Sequence, residues 1–306
     1  MSDFEITILG NGSAVPTSWQ NPSAQMVRYG RHRFLIDCGE GTQMQMIRYG
    51  VSYSNLSHIF ISHLHGDHFL GVAGLLSTLH LYGRQKALHI FAPQPLKEIL
   101  RLQFEVSHTR LHFPLLFHVL PESGLLYEDT RLEIRCFPLK HSVPAYGFLL
   151  KEKPGKRNLK KDFVKKYHPG IEQMQRIKQG DDFVLPDGTV LPNREITKDP
   201  VPPRSYAYCS DTAYDEKIIP FIRGVDLLYH EATFDDSLAA LAAEKFHSTA
   251  RQAATIAAKA GAKKLLLGHF SARFRDADTM LLLEEARQVF PHTFLSRQGE
   301  VYFPGE

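Results

Sequence analysis

A chain of 306 residues with 43% hydrophobic and 23% charged side chains is globular in composition, long enough for one large α/β domain or two ordinary ones. A net charge of only +3 excludes a polycation, so any nucleic-acid footprint must come from a local run of charge. Three scattered cysteines (Cys38, Cys136, Cys209) exclude a disulfide framework or a cysteine zinc site, and the absence of a stretch of about 18 apolar residues argues against a membrane span.

The start, "MSDFEITILGNG", has early acids and no basic lead into an apolar run, so no secretory signal is expected and a reducing cytoplasm is. "FEITILG" reads as a strand running into a glycine turn. "AQMVRYG" and "RHRFLIDCG" read as a hairpin around Gly30, and "GTQMQMIRYG" as a helix stopped by Gly50. "LSHIFISH" is the next strand and "FLGVAGLLSTLHLYG" the helix after it. "LHIFAP", the helix "PLKEILRLQFEV" and a β-rich stretch over 111–150 follow.

The segment 151–166, "KEKPGKRNLKKDFVKK", holds eight Lys or Arg against two acids. With the Pro-, Gly- and Asp-rich residues after it, it reads as an insertion protruding from the main domain, without a large core of its own. The alternation then resumes. "RSYAYCSDT" is a strand ending in Asp211, and "GVDLLYHEATF" one ending in His230 and Glu231. "STARQAATIAAKAG" is a helix between Ser248 or Thr249 and Gly261, "KKLLLGHFS" a strand ending in His269, and "DADTMLLLEEARQVF" a last helix. Short strands alternating with helices predict an α/β or layered α+β fold.

The chemistry concentrates in "IFISHLHGDHFLG", where His63, His65, Asp67 and His68 fall within six positions. On a strand, residues i and i+2 share a face, so His63 and His65 converge if the strand runs that far. Asp67 and His68 then lie at the turn into a helix beginning near Phe69. Imidazole and carboxylate suit zinc-type ions. Three histidines could hold one ion, and the added aspartate with remote ligands suggests two. His141, Asp211 and His269, each after a strand, are the remote candidates. His32, His58, His80, His89, His108, His112, His118, His168 and His292 take the default reading of surface or satisfied core residues.

This hexad, with "GNGSAVPT", "DCGEGTQ", "HEATF" followed by "HST", and "LLLGHFSARF", resembles the metallo-β-lactamase superfamily. Within it, the pattern is similar to the ribonuclease Z family of tRNA 3′-processing endonucleases. The resemblance implies a four-layer αββα sandwich as a single domain over 1–306, with residues 151–198 as a flexible arm that grips tRNA. It implies two zinc ions per subunit, one held by His63, His65 and His141, the other by Asp67, His68 and His269, with Asp211 bridging. Asp67 would also accept the proton of the attacking water. His247 would donate to the leaving 3′ oxygen, oriented by Glu231. A precursor tRNA substrate, a 3′-hydroxyl product and a homodimer whose arms serve each other's sites complete the implication. The sequence departs from the family pattern at Gln20–Asn21, Pro169–Gly170, Ser210 and Phe274, and none of these is a proposed ligand. Two other readings share some of these residues: a hydrolase of small phosphodiesters, thioesters or lactams, and an RNA-binding protein without catalysis.

Overall fold

The computed structural model describes residues 4–306. They form two compact units, one of residues up to Tyr127 with Ile134–Leu150 and Ser205–Glu306, the other of Glu128–Glu133 with Lys151–Arg204.

The first unit is built on two seven-stranded sheets. In the first sheet Val301–Tyr302 pairs with Phe4–Gly10. The order continues through Ala24–Tyr29, His32–Ile36, Leu56–Phe60 and Leu88–Ala92 to Leu115–Val119. The hairpin at Gly30 is antiparallel, and pairing is parallel from His32–Ile36 onward. In the second sheet the order is Thr293–Leu295, Lys264–Gly268, Leu227–Glu231, Ser205–Cys209, Ala145–Glu152, Leu132–Leu139 and Gly124–Glu128.

Alternation along each strand separates the layers. Leu35, Ile59, Ile61 and Ile90 pack with Leu75, Leu76 and Leu96 of the helices Val72–Leu81 and Pro95–Val106. The intervening Phe34 and Phe60 face the other way, and Phe60 meets Phe148 of the second sheet at 5.5 Å between ring centroids. On the second sheet, Ala207, Leu228, Leu265 and Leu267 pack with Ala253, Ala254, Ala257 and Leu282 of Ala250–Ala260 and Asp276–Arg287. Helix, sheet, sheet, helix is the expected order of layers. Each fully buried aromatic at the centre contributes about 1.5–3 kcal/mol by area alone.

Local chemistry sets the helix ends. Thr249 caps Ala250–Ala260 in a reciprocal box with Gln252, and Gly261 closes it in the left-handed conformation. The single helix expected after the hexad is two. Gly66–Phe69 carries Asp67 and His68, and a separate helix runs over Val72–Leu81. All three cysteines are buried and unpaired, and burial pushes the Cys38 thiol up to about 12. Among the described residues no helix is long and apolar enough to cross a membrane.

The second unit contains the helices Lys161–Tyr167, Ile171–Gln179 and Asn193–Ile196 and two two-stranded ladders. Phe163, Ile177, Phe183 and Ile196 form its small core. His168, in the left-handed conformation, ends the first helix, and Gly170 starts the second, so Pro169–Gly170 lies in the turn between them.

Candidate metal centre

Every residue of the predicted centre comes from a segment just past a strand. The strand before the hexad ends at Phe60, so His63 and His65 lie in the loop beyond it. The same-face argument for their convergence therefore does not apply, and loop geometry brings them together. Asp211 lies two residues past Ser205–Cys209, and His269 one past Lys264–Gly268.

The donor atoms of His63, His65, His141 and Asp211 all lie within 4.8 Å of one another, as do those of Asp67, His68 and His269. Asp211 Oδ2 faces the first group, 3.5 Å from His63 Nε2 and 3.8 Å from His141 Nε2. Its Oδ1 faces the second, 3.1 Å from both His68 Nε2 and His269 Nε2. Asp67 Oδ2 stands 3.4 Å from His68 Nε2 and from His269 Nε2. The structure brings the seven residues named from the sequence together in these two adjoining groups.

The back sides of the rings are held by residues to which the sequence reading gave no role. His68 Nδ1 bonds Asp37 Oδ2 at 2.8 Å, and His63 Nδ1 meets Ser62 Oγ at 3.1 Å. His141 Nδ1 donates to the Phe246 carbonyl at 2.9 Å, and His269 Nδ1 meets Thr233 Oγ1 at 3.0 Å. In each case Nδ1 is engaged outward and Nε2 is left for the centre, the arrangement that orients metal-binding imidazoles. Asp37 also accepts from Ser62 N–H, Ser62 Oγ and Tyr208 Oη. The backbone N–H of Ala14 donates to Asp67 Oδ2 at 2.7 Å. Ser210, one of the departures, donates from Oγ to Asp211 Oδ1 at 2.9 Å.

Backbone strain gathers here. Ala14, Asp37, Phe246 and His269 take positive φ of 64°, 56°, 59° and 57°, a region that costs a residue with a Cβ free energy and clusters at functional sites. Gly39 fits because a Cβ there would lie 2.3 Å from the Asp67 carbonyl oxygen.

Burial and mutual charge shape the titration. Burial alone would raise Asp211 and Asp67, but His269, His68 and His63 around Asp211, and His68 beside Asp67, hold both carboxyls below the usual range. Burial and the neighbouring His68 push His63 down. His68 resists its own burial and is driven up by Asp211, Asp67 and Asp37. The carboxylates therefore demand positive charge at this point. His63 Nε2 is buried and has no hydrogen-bond partner, and a buried polar atom without a partner is costly; His68 Nε2 has only the carboxylates of Asp211 and Asp67 before it. Both nitrogens are turned toward the shared Asp211 carboxylate, an arrangement that fits a cation with imidazole and carboxylate ligands.

Beside the centre, Glu231 is fully buried at the end of its strand. Its Oε1 accepts from Thr212 N–H at 2.6 Å and from His247 Nδ1 at 2.9 Å. Its Oε2 accepts from Ser248 N–H at 3.0 Å and Thr233 Oγ1 at 2.6 Å. Burial pulls the His247 imidazolium down, but the Glu231 carboxylate outweighs it and pushes the pKa up to about 9. His247 lines an open cleft of about 540 Å³ together with His65 and His141.

Asp37 gives a direct test of the hydrogen-bonded frame. Asp37→Asn is expected to weaken metal binding about 10- to 100-fold, the usual effect of removing such a partner. Competition with a chromophoric chelator measures this.

Two α/β layers with paired His/Asp groups at the strand ends define a metal-dependent hydrolase of the metallo-β-lactamase fold. The chain is 22% identical to a metallo-β-lactamase-fold protein, YhfI of Bacillus subtilis, with a TM-score of 0.69 over 98% of this chain and 99% of that one. A family model described as "Anti-Pycsar protein Apyc1" matches residues 4–156. Similarity to ribonuclease Z runs further, through residues 151–204 and the second sheet. The chain is 46% identical to Ribonuclease Z of Parabacteroides distasonis over 98% of both chains. It is 44% identical to that of Bacteroides fragilis, again over 98% of both. The human short-form tRNase Z structure aligns with a TM-score of 0.71 and 27% identity over 98% of each chain. This chain belongs to the ribonuclease Z family and is a metal-dependent endoribonuclease.

Proposed function

We propose that this chain removes the 3′ trailer from precursor tRNA by hydrolysing one phosphodiester, leaving a 3′-hydroxyl on the tRNA, with two zinc ions as cofactor. The observation that carries the reading is the Asp211 carboxylate, which turns one oxygen to each histidine group, with the His247–Glu231 pair beside it. His63, His65 and His141 would hold one ion, Asp67, His68 and His269 the other, and Asp211 both. Ions held by these residues would supply an acidified water and an offset for charge on the phosphate oxygens.

The chain's own residues do the rest. Asp67, anchored by the Ala14 N–H, accepts the proton released as the water oxygen bonds to phosphorus. The bond from phosphorus to the 3′ oxygen breaks, and His247 as imidazolium gives that oxygen its proton. Glu231 keeps Nδ1 of His247 occupied, which reserves Nε2 for the substrate. His65→Ala is expected to abolish turnover while RNA binding largely survives; filter-binding and cleavage assays on one preparation separate the two. Persistent cleavage in that variant would refute the assignment of the centre.

Residues 151–198 act in this reading as an arm that holds the tRNA. Lys161, Lys165 and Lys166 are exposed on and around one short helix, and lysines that neutralise phosphates make binding salt-dependent. Changing these three to Ala should weaken precursor tRNA binding and flatten the slope of log K against log salt by about one for each phosphate no longer neutralised. We place the enzyme in the cytoplasm as a homodimer in which each arm serves the partner's centre; sedimentation of the purified chain tests the assembly.

A further inference from the structure

We propose that the Phe246 ring is the stacking platform for a nucleobase flanking the scissile phosphate; this deepens the ribonuclease reading and rests on it. Phe246 immediately precedes His247. Its N–H donates to the Ala243 carbonyl at 3.3 Å, and its own carbonyl accepts from His141 Nδ1 at 2.9 Å. The backbone there has φ 59°, where a bulky side chain is an outlier and glycine is at ease. A glycine would deliver the same carbonyl to His141 without strain, so the backbone role does not account for the ring.

Core packing does not account for it either. Phe246 is 38% exposed and forms part of the cleft wall. The same cleft is also lined by Val15, which is 55% exposed, and by Phe234. The exposed Arg273 guanidinium sits 5.9 Å from the Phe234 ring centre and also lines the cleft, so a cation accompanies the apolar walls. A bare phosphate needs cations alone. Apolar and aromatic faces joined to one cation suit a nucleotide, whose base offers a flat π surface and whose phosphate a charge. Stacking on an aromatic ring tolerates any base.

The test compares the intact chain with Phe246→Leu and Phe246→Trp, with zinc content measured in each. The substrates are precursor tRNA and the same RNA carrying an abasic nucleotide on one side or the other of the cut. Removing one flanking base should lower kcat/KM of the unaltered enzyme roughly 5- to 150-fold, the span of one base–aromatic stack. Phe246→Leu should lose a similar factor on intact RNA and lose little more on the abasic RNA, whereas Phe246→Trp should keep the dependence on the base. Additive losses in Phe246→Leu, or indifference of the unaltered enzyme to both bases, would overturn the proposal. No cleavage of intact precursor tRNA by the unaltered, zinc-loaded chain would instead remove the ribonuclease reading, and the stacking role with it.

Discussion

Asp211→Ala is expected to leave precursor tRNA uncut, with kcat reduced by a factor on the order of 10³ or more, since metal-ion stabilisation of charge amounts to several kcal/mol. The reason is positional. His63 and His141 approach one carboxylate oxygen, and His68 and His269 the other, so a single truncation strips a donor from both groups. Zinc content should fall in parallel. Asp211→Asn keeps the volume but removes the charge that His269, His68 and His63 gather around, and it should behave nearly as badly. A variant that keeps its metal and its activity would show that Asp211 does not join the two groups.

The second large effect has a different signature. His247→Ala should lower kcat by roughly 10²- to 10⁴-fold, the range for a lost general acid, while zinc content stays unchanged. Glu231→Gln adds a direction in pH. A proton donor works in its charged form, which is populated below its pKa. With that value pushed up to about 9 by Glu231, activity should hold through neutral pH and fall as pH rises through about 9. Without the carboxylate, the alkaline limb should shift towards the ordinary imidazole range near ~6.5. A pH–kcat profile of Glu231→Gln that matches the parent enzyme would exclude the pair from proton transfer.

The candidate ligands were legible because metal chemistry leaves a dense local mark. Four donors in six positions have few other uses, and His141, Asp211 and His269 announce themselves by following strands. Their mode of assembly was less legible. His63 and His65 lie beyond a strand that stops at Phe60, so a loop does what periodicity suggested a strand would. The frame behind the centre was hidden for a deeper reason. Asp37, Ser62, Thr233 and the carbonyl of Phe246 are ordinary in sequence. Ser62 adjoins the ring it holds, but Asp37 lies 31 positions from His68, Thr233 36 from His269 and Phe246 105 from His141, so these contacts exist only once distant segments fold together. A hint was available in "DCGEGTQ", whose aspartate precedes a glycine-rich turn. The second unit illustrates the opposite difficulty. Its charge hid a core of only four buried side chains, too sparse to show as a periodic pattern among lysines and prolines.

The most direct test is cleavage of a 3′-extended precursor tRNA by the purified chain, with the new end mapped, before and after chelation and with zinc restored. The account predicts one cut next to the discriminator nucleotide, a 3′-hydroxyl on the tRNA, loss of cutting on chelation and recovery with zinc. Cleavage that survives complete metal removal would contradict it. So would a zinc-loaded chain that hydrolyses a small phosphodiester but leaves the tRNA intact.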